Sequence, residues 1–188
     1  KHKKNKNGAA ARNTGIYHAT GTFVCFIDSD DTWDIERLQY LNLFILKNKV
    51  NDDTIIYGKV RIIREKTSFI EYRPHSEFKP HQNLAEYLFC YGGIMQTSTL
   101  AISRKSLRKL KFDERFTRHQ DVTFVLQALS KGFSFQYISK PLVNYVVPQS
   151  ILRKRINDNR VSTEFCDYWL KCMNKHLNKK SILGYNYN

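Results

Sequence analysis

The sequence has no apolar run approaching the roughly 18 residues that a membrane-spanning helix needs. Its opening residues, Lys1-His2-Lys3-Lys4, have no apolar stretch behind them and do not read as a secretory signal. Its four cysteines (Cys25, Cys90, Cys166, Cys172) show no C-x-x-C spacing. That argues against a zinc site and a disulfide framework and for a reducing compartment, with Cys25 a buried thiol in an apolar run. No internal repeat and no RNP, KH or helix-turn-helix signature is present. Carboxylates are scarce: 17 Asp and Glu stand against 31 Lys and Arg, a net charge of +14. Such a balance favours anionic partners, whether nucleic acid, lipid headgroups or phosphorylated substrates, and charge alone does not separate the three.

What the sequence does hold is room for one domain with a real core: 188 residues, 41% hydrophobic and 26% charged. Its few carboxylates are concentrated. The continuous apolar run Phe23-Val24-Cys25-Phe26-Ile27 ends abruptly in Asp28, Asp30 and Asp31. The run reads as a central, buried strand. In open α/β sheets, ligands bind beyond the carboxyl ends of the strands. On extended backbone Asp28 and Asp30 share a face. Paired carboxylates repel unless compensated, and a hard divalent cation carrying a phosphate is the natural compensator. The plainer alternative is an acidic turn in which Asp31 or Asp34 caps the next helix.

Helices and strands alternate along the rest. After an Asn7-Gly8 turn, a helix is expected over 9–19, with small residues that allow close approach to a sheet or ligand. A second helix is expected over 34–49, with Leu38, Leu41, Ile45 and Leu46 as its apolar stripe. Strand 54–63 pairs back on 69–72. Helix 84–89, a flexible Tyr91-Gly92-Gly93-Ile94, strand 96–102 and a short basic helix over 105–110 follow. Helix 121–131 begins at Asp121, and extended pieces cover 133–138 and 141–147. Residues 151–188 read as a basic amphipathic helical tail to a 1–150 domain, with Val161, Phe165, Trp169 and Met173 at helical spacing. Such a tail packs on the domain, lies on an anionic membrane surface, or meets a partner protein. Gly92, Gly93, Gln96 and Thr97 suit either an acceptor-binding loop or a simple turn. His119 reads as a surface or hydrogen-bonded histidine more readily than a catalyst.

In this order, Asn7-Gly8, Ala11-Arg12-Asn13-Thr14-Gly15, Phe26-Ile27-Asp28-Ser29-Asp30-Asp31-Thr32-Trp33, and Phe112-Asp113-Glu114 followed by Arg118-His119-Gln120-Asp121 resemble family 2 glycosyltransferases. The resemblance runs from about residue 7 to 150. It implies an α/β, GT-A-like mixed sheet flanked by helices. It also implies inverting, metal-dependent transfer from a nucleotide-diphosphate sugar, a UDP-sugar, to a hydroxyl of a glycan or lipid-linked acceptor. Asp28 would lie near the donor ribose and, with Asp30, at Mg²⁺ or Mn²⁺. Arg12 and Asn13 would lie near the nucleotide and its diphosphate. Asp121 would be the catalytic base; Gly93, Gln96, Thr97 and His119 are the candidates for acceptor contact on the residue reading above, with a simple turn the alternative for the loop. By analogy the setting is bacterial surface-polysaccharide or lipopolysaccharide synthesis, cytoplasmic or peripheral on the inner face of the membrane through the basic tail, with no nucleic acid partner. The chemistry asks for these parts independently: a sugar hydroxyl is a poor nucleophile without a positioned carboxylate, and a diphosphate leaves poorly without charge neutralisation.

Two departures stand out. The family opens with strands carrying Pro-x-Tyr-Asn-like and Asp-Asp-Gly-Ser-like elements, and nothing here matches them. The expectation is an N-terminally truncated fold with an exposed edge beside an incomplete nucleotide pocket. Val147 and Pro148 stand where many relatives carry a histidine, so no metal ligand is assigned after Asp121. The alternatives to an enzyme are an inactive fragment and a basic nucleic-acid- or anion-binding protein.

Overall fold

In the computed structural model, residues 6–64, 70–147 and 163–187 are described. Two long strands form the spine. β3 (Thr54–Arg64) is rich in β-branched residues, and β6 (Ser134–Val147) lies parallel to it. Around them the sheet runs β1-β5-β3-β6-β2, with β4 (Ile70–Arg73) pairing β3 as the expected hairpin. β1 is Phe23–Cys25, β2 is Asp31–Trp33 and β5 is Ala101–Ser103. The helices are α1 (Gly8–His18), α2 (Arg37–Lys47), α3 (Leu84–Cys90), α4 (Gln120–Ser130), α5 (Thr163–Met173) and α6 (Lys179–Tyr187). The larger core, with Ala9, Phe26, Ile55, Tyr57, Leu84, Phe112, Phe124 and Trp169, is built from the sheet with α1, α3, α4 and α5. A smaller one holds Leu41 of α2 with Ile56, Ala101, Ile138 and Leu142. Ile55 and Ile56 enter different cores because successive strand residues point to opposite faces. The mixed α/β sheet with flanking helices is the fold class read from the sequence.

Several local expectations need correction. The Phe23–Ile27 run is not a central strand. β1 is three residues long, stands at one end of the sheet and pairs only β5 among the described strands. Ile27 is 50% exposed. Asp28 and Asp30 therefore do not share the face of a strand. The Asp31 amide donates to the Asp28 carbonyl at 3.1 Å, closing a tight turn from which Asp31–Trp33 runs back to pair β6.

On α2, Leu38 and Leu46 are 57% and 66% exposed, so they are not part of the buried stripe. Arg37 and Leu41 are buried instead, with Tyr40, Phe44 and Ile45 beside them. The reason is Arg37: its Nη2 donates to the Thr99 carbonyl at 3.0 Å and its guanidinium lies 4.9 Å from the Trp33 ring, which sets the roll of the helix.

Residues 97–99 form a 3-10 turn ahead of β5, because the Thr99 amide and hydroxyl both donate to the Gln96 carbonyl. Ser106–Arg108 is likewise a single 3-10 turn. The two extended pieces after α4 are one strand, β6, and a register shift between Gly58 and Val60 absorbs the irregularity. Over its described residues, 163–187, the tail forms two helices joined by a 3-10 turn at Asn174–His176. Trp169 and Met173 are buried in the larger core, so the apolar stripe is spent on the domain. Val161 and the basic run Arg153 to Arg160 lie outside the described residues, as do Pro148 and the 65–69 connection. No helix among the described residues is long and apolar enough to cross a membrane.

Candidate active site

The acidic turn is held from below by one short segment. Ser98, fully buried, donates its hydroxyl to Asp31 Oδ2 and accepts from the Asp28 amide at 2.9 Å. Gln96 Nε2 adds a bond to the same Asp31 oxygen at 2.8 Å, and Trp33 Nε1 donates to the Ser98 carbonyl at 3.0 Å. Asp31 thus faces inward, while Asp30 is exposed and Asp28 half-buried. Burial pushes the Asp31 carboxyl up to about 6; Ser98 and Gln96 oppose this, and Asp30 and Asp28 reinforce it. Its Oδ1, like Gln96 Oε1, is buried and receives no hydrogen bond. Neither Asp31 nor Asp34 is the N-cap of α2, which is Glu36 without a side-chain cap bond; Asp34 Oδ1 accepts from the Glu36 amide at 3.1 Å in the turn ahead of the helix.

Arg12 ties this turn to the second acidic motif. From α1, its Nη2 pairs with Asp28 Oδ1 and its Nη1 donates to Gln120 Oε1 at 2.5 Å. The guanidinium also lies 5.2 Å from the Phe112 ring. Gln120 opens α4, and Asp121 follows it in the first turn. Gly8 makes this link possible, since a Cβ there would come to 3.0 Å of both Arg12 Nη1 and Gln120 Oε1. Asn7 caps α1 by accepting from the Ala10 amide at 3.1 Å, and its own amide holds the Glu114 carbonyl at 2.9 Å. Asp121 accepts from the Val122 amide at 2.8 Å. A helix start favours an ionised carboxylate, but burial dominates and raises the Asp121 pKa; Arg12 pulls it down and Asp28 pushes it up.

The structure brings Arg12, Asp28 and Asp121 within electrostatic reach of one another and leaves Asp30 on the open side. Other sequence candidates are engaged elsewhere. Asn13 spends its side-chain amide on the Phe112 backbone, accepting at 2.9 Å and donating at 2.8 Å, and on Glu114 at 2.9 Å. It clamps the 112–114 loop to α1. Gly92 and Gly93 terminate α3: Gly92 has φ +66° and its carbonyl accepts from Arg73 at 2.8 Å, while the Gly93 amide donates to the Tyr87 carbonyl at 2.8 Å. Thr97 is buried. Gln96 belongs to the support of Asp31. His119 is the N-cap of α4 and its ring is packed against the tail.

Among the described residues, no three His, Cys, Asp or Glu side chains are grouped to enclose a metal ion. The acidic turn fits a different donor set. Asp30 is exposed, and Asp28 commits only Oδ1 to Arg12. One or two carboxylates are what Mg²⁺ or Mn²⁺ takes from a protein when phosphate and water supply the rest.

Sequence comparison gives the family of the chain. The model of glycosyl transferase family 2 matches residues 1–111. The amylovoran biosynthesis glycosyltransferase AmsB of Erwinia amylovora is 39% identical over 183 residues, 95% of this chain and 59% of its own. The chain belongs to glycosyl transferase family 2. An uncharacterized glycosyltransferase of Methanocaldococcus jannaschii is 26% identical over 79% of the chain and 50% of its own length. The chain thus spans about half to three-fifths of these relatives. Among solved structures, S. aureus TarS 1-349 in complex with UDP superposes with a TM-score of 0.57 at 20% identity, over 78% of this chain and 42% of its own. That likeness makes the fold GT-A-like. Asp121 and the tail lie beyond the residues that the family model matches.

Proposed function

We propose that this chain carries the catalytic centre of a glycosyltransferase that moves a sugar from a nucleoside-diphosphate donor, a UDP-sugar, to a hydroxyl acceptor with inversion, in cell-surface polysaccharide assembly. The observation that carries the reading is Arg12, which joins the Asp28–Asp30 turn to the helix that presents Asp121. The relatives support the setting. AmsB is named for amylovoran biosynthesis, TarS has been solved with UDP and with UDP-GlcNAc, and a relative matching 62 residues at 37% identity is named for a UDP-Glc donor and a diphosphoundecaprenol-linked acceptor. A lipid-linked or glycan acceptor is proposed on the same ground. Exposed Lys171, Lys175 and Lys179 would meet an anionic membrane surface through charge alone.

In this reading Asp28 and Asp30 hold Mg²⁺ or Mn²⁺. When bound, the cation neutralises charge on the diphosphate leaving group. Arg12 fixes the orientation of Asp28 by occupying one of its oxygens. Asp121 takes the proton of the acceptor hydroxyl as that oxygen attacks the anomeric carbon. Burial makes its carboxylate more basic than an ordinary aspartate, which suits a general base working near neutrality. The nearby Arg12 guanidinium opposes that rise and favours the ionised form.

Calorimetric titration of UDP into the purified chain, with and without Mn²⁺, tests the donor side. Binding is expected with Mn²⁺ and lost in Asp30→Ala. Asp121→Asn should keep UDP binding while transfer drops by about 10²–10⁴-fold. A folded chain that ignores UDP in both conditions, or binds it equally well as Asp30→Ala, would leave the reading without its donor site.

A further inference from the structure

α4 begins without a capping side chain of its own. Its N-cap, His119, sits at φ 56°, in the left-handed region, and makes no side-chain cap bond. The ring points instead into the C-terminal helices. His119 Nε2 lies 2.9 Å from the Tyr185 hydroxyl of α6. Its ring centroid is 5.1 Å from Trp169, 5.4 Å from Tyr185 and 5.7 Å from Phe165. Trp169 and Tyr185 stack on each other at 5.1 Å and 22°.

The second attachment is one turn on. Trp169 Nε1 donates to Thr123 Oγ1 at 2.8 Å, and both residues are fully buried. The Thr123 amide in turn donates to the His119 carbonyl at 2.8 Å, across the first turn of the helix. Both ends of that turn, His119 and Thr123, are therefore held by tail side chains. Asp121 lies midway between them.

We propose that the C-terminal helices α5 and α6 are positioning elements of the active site: Tyr185 and Trp169 fix the first turn of α4, and so the placement of Asp121. The proposal rests on the reading of Asp121 as the base. It gives the amphipathic stripe of the tail a purpose beyond covering the core. A tail docked only for burial would need its apolar face alone. Here the polar atoms of buried Trp169 and half-buried Tyr185, Nε1 and Oη, both reach the same helical turn.

Tyr185→Phe in the full chain removes the hydroxyl that meets His119 and Cys166 and keeps the ring stack. Amide hydrogen exchange at Thr123 should quicken about tenfold, the equivalent of one ordinary hydrogen bond. Exchange in the spine, at Ile55 and Val143, should not change. Transfer should lose a similar factor in kcat while UDP affinity holds. Trp169→Phe should act in the same direction, and Leu142→Ala, a cavity in the other core, should cost stability without moving kcat. Unchanged exchange at Thr123 in Tyr185→Phe, or faster exchange throughout the chain, overturns the proposal, as does faster exchange at Thr123 with full kcat. A wild-type chain with no transferase activity counts against the base reading alone, because the exchange measurement still decides whether the tail holds this turn.

Discussion

Asp31→Asn isolates the one carboxylate of the acidic turn that points inward. Asp31 is 6% exposed, with Oδ2 held by Ser98 and Gln96 and Oδ1 receiving no bond. Burial first, then the charges of Asp30 and Asp28, push it from an ordinary 3.8 to about 6. The folded chain therefore holds this proton more tightly than the unfolded chain. Below the unfolded pKa the group costs nothing. As pH climbs from 3.8 to about 6 the cost of keeping it folded grows, and above that it levels off. About two units at roughly 1.36 kcal/mol each give a ceiling of ~3 kcal/mol. Asparagine cannot ionise, so its own packing cost is the same at every pH. In EDTA, the unfolding free energy of Asp31→Asn relative to wild type should move in the variant's favour by about 2–3 kcal/mol between pH 4 and pH 7. Urea unfolding of both chains at each pH unit measures this. Repeating the pH 7 point with Mn²⁺ should shrink the gap, since a cation beside Asp28 and Asp30 removes their repulsion. A difference flat to within about 0.5 kcal/mol, or one that moves the other way, refutes the argument.

Two glycines give sharper contrasts. Gly8→Ala places a Cβ 3.0 Å from Arg12 Nη1 and Gln120 Oε1, both ends of flexible side chains. Thermal stability should hold or rise slightly, since alanine is the better helix residue, while transfer falls about tenfold as the Arg12–Gln120 link parts. Gly93→Ala should do the reverse: its Cβ would lie 2.4 Å from the Tyr87 ring and 2.6 Å from the Tyr87 carbonyl. Urea unfolding should show a loss of about 2–4 kcal/mol, with unchanged UDP affinity in the fraction that folds.

The sequence makes the chemistry of this chain more legible than its geometry. Asp28, Asp30, Arg12 and Asp121 stand out because their motifs are local and follow one another in a recognisable order. Their partners do not. Ser98 lies 70 positions from Asp28 and Gln120 lies 108 from Arg12. Nothing in the local pattern around Ser98 marks a residue that accepts from one aspartate amide and donates to another carboxylate. Long-range pairing also explains the misread stripe of α2. Periodicity favours leucines, yet a buried Arg37 tied to Thr99 sets which side faces in. The run ending at Ile27 looks central because it is apolar throughout, but the turn at Asp28 sends the chain back across the sheet after three paired residues. For His119, the sequence offered a hydrogen-bonded histidine, and the structure supplies the partner in Tyr185.

The electrostatics of the site run against those of the whole. The chain carries a net charge of +14, yet Asp31 feels Asp28 and Asp30, Asp121 feels Asp28, and among the described residues the cation bonded to this group is Arg12. One positive charge does not balance this group. Asp31 and Asp121 both have raised pKa values, with burial the first cause in each; Asp30 and Asp28 add to the rise at Asp31, while at Asp121 Arg12 opposes it and Asp28 adds to it. Asp28 has its charge met by Arg12, and Asp30 is open to solvent. A centre built only for stability would have replaced an aspartate here or added one of the many lysines that the chain carries elsewhere. Burying Asp31 beside Asp30 and Asp28 costs folding energy at neutral pH, chiefly through desolvation. On the proposed reading, in which Asp28 and Asp30 would hold a divalent cation, positive charge arriving with the ligand would offset the repulsion part of that cost.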